Sequence, residues 1–171
     1  GKKFEVVGCA YNDVPASVEA SIPAGGPLDG NRIGFDAGGS DRKVSAVIDG
    51  ETIYSEEVVW FPKTSEDPEY QYQGILDSFK TAAKKIEEQG KKIDAIGVSS
   101  AGIYIENEIR VASLFIKVPQ DVFDAKVPQI YIKAAKEIGE DIPLVVANDG
   151  DVTALAGAMS LNDGCVLGIA M

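Results

Sequence analysis

A turn of small residues near position 38 carries side chains that could bind an anion. The stretch reads Asp36-Ala37-Gly38-Gly39-Ser40-Asp41-Arg42-Lys43. The glycines let backbone N–H groups approach a phosphate closely, because no Cβ is in the way. A serine hydroxyl and a lysine add donors, and an aspartate holds Mg²⁺ directly or through water. The pattern indicates a phosphate site, and a β-turn with solvated charges is the alternative. The stretch is not a Walker A loop, because GxxxxGK[ST] is absent and another strand follows instead of a long helix.

A second candidate group is Asn148-Asp149, at the end of an apolar run over residues 142–149 and before a helical pattern. The chain has no histidine. A general base must therefore be a carboxylate, a lysine or a tyrosine, and a Ser-His-Asp or His-metal site is excluded. Asn and Asp also cap helices, so Asp149 or Asp151 could serve only as a cap. Both the catalytic and the capping interpretation stay open for Asp149.

The third group is Ser99, Ser100 and Gly102, which end the strand-like run over residues 93–100. α/β sheets place ligands at the carboxyl ends of their strands. A ligand pocket therefore explains this group, but an ordinary glycine between strand and loop explains Gly102 equally well.

The elements that must position these groups follow from periodicity and turn residues. Asp49-Gly50 predicts a tight hairpin, and Asp67-Pro68 predicts a helix start. Gly90 and Gly139 predict helix ends, and Pro128 divides the second helical region. Strands are predicted at 33–36, 44–48, 52–59, 93–100, 142–149 and within the final CVLGIAM, with a short hairpin near Glu106-Asn107, and helices at 67–90, 118–138 and 151–161.

This order predicts one α/β domain. Strands joined by tight turns come first, and helix–strand alternation follows. We expect a mixed sheet with antiparallel strands at one edge and helices on both faces.

Composition limits the possible partners. The net charge of −11 argues against nucleic acid and anionic membranes as partners, since neither meets a basic stripe. No apolar run reaches the roughly 18 residues of a membrane helix, so the cytoplasm is the expected location. Cys9 and Cys165 lack metal-ligand spacing, and we expect two buried thiols.

The motifs and their order resemble the N-terminal lobe of the actin-like (ribonuclease H-like) sugar kinases, most of all the ROK group, over residues 32–171. The family motif D-x-G-G-[ST]-x-x-K stands at residues 36–43, and N-D-x-x-x-x-A begins at Asn148. Two departures are the charged pair Asp41-Arg42, where many ROK kinases have uncharged residues, and Ala101 in place of the usual proline.

The resemblance implies an ATP-dependent, Mg²⁺-requiring kinase that phosphorylates a hydroxyl of a small-molecule sugar. Asp149 would be the catalytic base. Asn148, Gly102 and Ser100 would form the substrate site, and the phosphate and metal end would comprise Asp36, Gly38, Gly39, Ser40 and Lys43, with Asp36 at the Mg²⁺ ion. We also expect a homodimer.

The resemblance further implies a division of the chain. Residues 1–31 would be an arm or linker, 32–160 the kinase lobe, and 161–171 the first strand of a second lobe that the chain lacks. The isolated chain should then be inactive. The alternatives are a BadF-type actin-like ATPase, for which Cys9 and Cys165 are poorly placed, and a non-catalytic sugar-sensing module.

Overall fold

The computed structural model describes residues 6–16, 28–161 and 166–169. A five-stranded sheet with the order β3-β2-β1-β4-β7 forms the centre, and β5 and β6 form a separate hairpin. The strands are β1 (Asn31–Ala37), β2 (Asp41–Ile48), β3 (Glu51–Val59), β4 (Ala95–Ser100), β5 (Gly102–Ile105), β6 (Glu108–Ala112) and β7 (Leu144–Asn148); the helices are α1 (Glu69–Glu87), α2 (Gln120–Lys126), α3 (Ile130–Lys136) and α4 (Asp149–Leu161).

The sheet is mixed. β1 pairs antiparallel with β2, and β2 with β3, whereas β1, β4 and β7 run parallel to one another. Asp49 and Gly50 both have positive φ, as a two-residue turn between right-twisted strands requires. The predicted mixed sheet with an antiparallel edge is confirmed.

One face of the sheet carries the hydrophobic core. Ile33 and Phe35 point from β1 toward α1, and the rings of Phe35 and Phe79 meet edge to face at 5.4 Å. Burial of one such ring contributes about 1.5–3 kcal/mol. Glycine at position 74 of α1 lets Trp60 approach the helix, because a Cβ there would lie 3.0 Å from the Trp60 ring.

The opposite face is only partly covered. Val152 and Leu155 of α4 lie beside Gly97 and Val145 of the sheet, so helices occupy both faces. An open cavity of about 520 Å³ remains between them, and Val145 is 64% exposed. The alternation of side chains along β1 and β2 places Asp36 and Lys43 on this face.

Most predicted element boundaries are confirmed. Asp67 caps the start of α1 by accepting a hydrogen bond from the Glu69 N–H (3.0 Å), and Gly90 follows the helix with φ +70°. Pro128 separates α2 from α3, and Glu106-Asn107 turns the β5–β6 hairpin with positive φ at both residues. No helix in the described ranges is long and apolar enough to cross a membrane.

The structure differs from two expectations, one for the cysteines and one for the final apolar run. Cys9 is an exposed free thiol and not a buried one, and Cys165 lies outside the described residues. Residues 166–169 form no strand. They lie against α4, where a Cβ on Gly157 would be 2.9 Å from Val166. They pair with no strand among the described residues, and a strand needs such a partner for its backbone groups.

Candidate active site

Three parallel strands bring the candidate groups to one edge of the sheet. Ala37 pairs with Ser100, and Ser100 pairs with Asn148, so these residues form a row across the carboxyl ends of β1, β4 and β7. Neighbouring strands lie about 4.8 Å apart, so Ala37 and Asn148 are roughly 10 Å from each other. The Gly38-Gly39 loop and Asp149 follow directly after the two ends of this row.

Trp60, which follows β3, holds the Gly38-Gly39 loop in place at two points. Its backbone N–H donates to the carbonyl of Ser40 (3.0 Å), and its indole Nε1 donates to the carbonyl of Gly38 (2.8 Å). The side chain is 1% exposed. The buried tryptophan therefore belongs to the core and also fixes the conformation of the loop.

The two loop glycines are needed for different reasons. A Cβ on Gly38 would lie 2.7 Å from the backbone oxygen of Asp41, so a side chain there would collide with the turn itself. A Cβ on Gly39 would instead lie 2.7 Å from Nζ and 2.8 Å from Cε of Lys63. Gly38 thus permits the turn, and Gly39 leaves room for a lysine ammonium group.

Asp41 binds two of the predicted phosphate donors. Its carboxylate accepts a hydrogen bond from Ser40 Oγ (3.2 Å) and pairs with Lys43 Nζ (2.6 Å). The hydrogen bond from Lys43 holds the pKa of the Asp41 carboxyl below its ordinary value, and Asp41 in turn raises the pKa of Lys43. The ammonium group of Lys43 is therefore already paired with a carboxylate of its own strand.

Arg42 faces the other side of β2. Its Nε donates to Ser78 Oγ on α1 (3.0 Å), and its guanidinium lies 5.7 Å from the centre of the Trp60 ring. The charged pair Asp41-Arg42, which departs from the resembled motif, thus has two separate local roles, one beside the loop and one against α1.

Asp36 is half-buried and faces the open cavity, on the same side of the sheet as Lys43 and Ser99. No group of three or more acidic, histidine or cysteine side chains within the described ranges could hold a metal ion. Mg²⁺ in nucleotide sites is commonly bound by one or two carboxylates together with substrate phosphates. A single Asp36 beside a glycine loop fits that donor set.

Ser100 and Gly102 lie at the end of β4. Ser100 is fully buried, and its hydroxyl donates to the carbonyl of Ala37 (3.3 Å). A Cβ on Gly102 would lie 2.5 Å from the Val111 carbonyl oxygen, so glycine is required there for packing. These contacts couple β4 to β1 and to the β5–β6 hairpin. Direct contact of either residue with a substrate stays a prediction.

The partly buried Tyr104 and the fully buried Tyr131 lie behind this end of the sheet, and the hydroxyl of each is buried. The hydroxyls of Tyr104 and Tyr131 have no hydrogen-bond partner among the described residues. Burial raises the pKa of both hydroxyls, and the nearby Ser100 hydroxyl offsets part of this rise. The negative charge of Asp149 raises the pKa of Tyr104 further. Both hydroxyls therefore remain protonated at neutral pH.

Asn148 connects the two remaining site elements. Its Nδ2 donates to the carbonyl of Gly102 (3.0 Å), and its Oδ1 accepts from the Gly150 N–H at the start of α4 (2.8 Å). Asp149 also accepts from Gly150, at 3.0 Å. Asn148 thus caps the helix, and this leaves the half-buried Asp149 at the exit of β7 with a carboxylate oxygen not used by any described contact.

Sequence reasoning missed two residues at the site, Trp60 and Lys63. No local pattern in the sequence links Trp60 to Gly38. Lys63 lies in the Pro62–Thr64 turn, and only the position of that turn beside Gly39 reveals it.

The connectivity of the sheet identifies the fold class. A mixed sheet with this connectivity, flanked by helices, is the actin-like, ribonuclease H-like fold, as the resemblance implied. The sequence matches no known protein-family model and none of the curated proteins.

Several solved structures share this fold with the chain. They include a ROK hexokinase from Thermus thermophilus (TM-score 0.53, 20% identity, 75% of this chain and 38% of that one) and a glucokinase from Parabacteroides distasonis (0.55, 18%, 77% and 34%). A ROK-family transcriptional regulator, a homologue of the Escherichia coli MLC protein, is also similar (0.52, 13%, 78% and 31%). The chain spans less than half the length of each, and at these identities the likeness establishes the fold.

Proposed function

We propose that this chain is the N-terminal lobe of an ATP-dependent sugar kinase. The observation that supports the proposal is the row of Ala37, Ser100 and Asn148, which brings a glycine loop suited to phosphates and a carboxylate suited to a hydroxyl nucleophile to one sheet edge. The spacing of roughly 10 Å across the row leaves room for a transferring phosphoryl group between them.

In this proposal the phosphates of ATP lie at Gly38, Gly39 and Ser40, with Asp36 placed to hold Mg²⁺. The ion, when bound, neutralises charge on the phosphate oxygens. Lys43 stands beside this end in its ion pair with Asp41. Phosphoryl transfer is chiefly a matter of position and charge, so a preorganised loop contributes directly.

Asn148 and Asp149 form the acceptor end of the site. The Asn148 amide has two N–H donors, and only one is used, to Gly102, in the described contacts. The second is available for a sugar hydroxyl. Asp149 accepts the proton of the attacking sugar hydroxyl, and the oxygen of that hydroxyl bonds to the γ-phosphorus. The bond from the γ-phosphorus to the β,γ-bridging oxygen breaks at the same time, and ADP leaves.

Because the fold is shared by kinases and by a regulator, the decisive test is whether Asp149 is needed for turnover. In the full-length protein, Asp149→Asn should lower kcat by at least about a hundredfold, the usual scale of base catalysis, with little change in ATP affinity. Asp151→Asn is the matched control, because Asp151 is exposed on the first turn of the same helix. Equal turnover of wild type and Asp149→Asn would refute the proposed mechanism.

The same assay separates the rival functions. ATP-dependent phosphorylation of one member of a sugar panel supports the kinase. ATP hydrolysis that no sugar stimulates supports an actin-like ATPase, and sugar binding without phosphorylation supports a sensing module. We propose further that residues 32–160 form the first of two lobes and that the protein works as a homodimer. The 171-residue chain alone should then show little turnover.

A further inference from the structure

Two lysines lie beside the Gly38-Gly39 loop, and their surroundings differ. Lys43 Nζ is 2.6 Å from Asp41 Oδ1, within a site whose chain carries a net charge of −11. An incoming phosphate would have to compete with that carboxylate for the ammonium group. Lys43 therefore offers little uncompensated positive charge to an anion at the loop.

Lys63 has no such partner. Its Nζ lies 2.7 Å from the position that a Cβ of Gly39 would occupy, and no ion pair or hydrogen bond joins it to another described residue. The side chain is exposed at this point, and Gly39 contributes only backbone. Among the described residues, the Lys63 ammonium group is therefore an unpaired cation directly beside the backbone of Gly39.

The turn that carries Lys63 is firmly held. The fully buried Gln71 donates from Nε2 to the carbonyl of Pro62 (2.8 Å), and the Phe61 N–H donates to the hydroxyl of Tyr70 (3.0 Å). Thr64 Oγ1 closes the turn on the carbonyl of Phe61 (2.8 Å). The base of the lysine is thus fixed, while its four-carbon stem lets the ammonium group adjust to a ligand.

We propose that Lys63, rather than Lys43, is the lysine that contacts the polyphosphate of the nucleoside triphosphate at this loop. The inference rests on the proposed function, and it assigns Asp41 the role of keeping Lys43 paired. A lysine contacts phosphate as a mobile point charge, which suits a residue on the turn opposite Gly39.

The test measures binding of Mg·ATP and of adenosine to the full-length protein by calorimetry. Lys63→Met, which keeps the length of the side chain and removes its charge, should weaken Mg·ATP binding about tenfold or more. Adenosine has no phosphates, so its affinity should not change. Lys63→Arg should restore most of the loss. Lys43→Met, at the rival lysine, should cause a smaller loss than Lys63→Met, because its ammonium group is already paired with Asp41. Lys80→Met, at an exposed lysine of α1 away from the loop, is the matched control and should leave Mg·ATP affinity unchanged.

A second variant approaches the same contact from the other side. Gly39→Ala places a methyl group where the Lys63 ammonium lies, so it should reduce Mg·ATP affinity and leave adenosine binding intact. A large loss in Lys43→Met with none in Lys63→Met would overturn the inference while the proposed function stood. Absence of Mg·ATP binding by the wild-type protein would overturn both.

Discussion

The indole Nε1 of Trp60 donates a hydrogen bond to the carbonyl oxygen of Gly38 across 2.8 Å, although 22 positions separate the residues. Together with the bond from the Trp60 N–H to Ser40, it fastens both halves of the loop to the end of β3. A glycine-rich turn would otherwise have many conformations, because glycine loses more freedom on folding than other residues. The loop is therefore preorganised by a buried aromatic residue outside the motif.

Trp60→Phe should separate this role from simple packing. The substitution keeps an aromatic ring and removes the donor, which leaves the Gly38 carbonyl unpaired. We expect the free energy of unfolding to fall by about 1–3 kcal/mol and ATP affinity to fall with it, because the loop is released. Urea unfolding and calorimetry on the same preparation measure the two effects. Unchanged ATP affinity in a destabilised variant would show that loop preorganisation does not depend on the indole.

The two glycines should respond differently to alanine. Gly38→Ala meets backbone, which cannot move aside, and should cost about 1–3 kcal/mol of unfolding free energy, as overpacking does. Gly39→Ala meets only the end of a flexible lysine and should change stability by less than about 0.5 kcal/mol. Chemical denaturation of both variants checks the contrast, and equal losses would contradict the different roles of the two positions.

Asn148 allows its two contacts to be tested separately. Asn148→Asp keeps an oxygen that can cap α4 and loses the donor to Gly102, whereas Asn148→Ala loses both. Loss of a cap costs about 0.5–2 kcal/mol, so the alanine variant should be the less stable one. Both variants should lose catalytic efficiency with the sugar while ATP binding persists. Unfolding curves and steady-state kinetics at varied acceptor concentration give the answer.

The buried hydroxyl of Tyr131 should make the free energy of unfolding fall at alkaline pH. Burial raises the pKa of its hydroxyl above the ordinary value of 10.0. Above that pH the unfolded chain loses this proton and the native protein keeps it, so the free energy of unfolding falls as pH rises, by up to about 1.4 kcal/mol per pH unit. The contribution is fully present below the unfolded pKa.

Tyr131→Phe should remove this component of the pH dependence. At neutral pH the variant should be as stable as the wild type or more so, because a buried hydroxyl without a partner is lost. The measurement is urea unfolding at about pH 8 and about pH 11. Tyr11→Phe is the control, since that ring is exposed. Parallel pH profiles of wild type and Tyr131→Phe would contradict the expectation.

Much of the fold could be predicted because its turns depend on local chemistry. Asp49-Gly50 and Glu106-Asn107 adopt positive φ, which few residues tolerate, and Pro128 cannot continue a helix. The parallel part of the sheet followed from helix–strand alternation. Residues 166–169 illustrate the limit: an apolar run predicts a strand, but a strand also needs a partner that local sequence does not specify.

The candidate site was predictable only where a motif is contiguous. Asp36 through Lys43 and Asn148-Asp149 are adjacent in sequence, and the sheet brings them together as expected. The contacts of Trp60 with Gly38 and of Lys63 with Gly39 join residues whose proximity depends on how β3, paired with β2, carries the following turn back to the loop between β1 and β2. The pairing of Asp41 with Lys43 depends on rotamers and not on residue type alone.

The row of Ala37, Ser100 and Asn148 has a consequence for how such a chain tolerates insertions and deletions. Side chains alternate along a strand, so one residue added within β4 or β7 would turn the strand's final side chain to the opposite face and separate Asn148 from Gly102. The connections at the other end of the sheet, at residues 88–94 and 137–143, carry none of the candidate groups. Length changes should therefore be tolerated at that end and disruptive in the strands, which a scan of single-residue insertions would reveal as two separate zones.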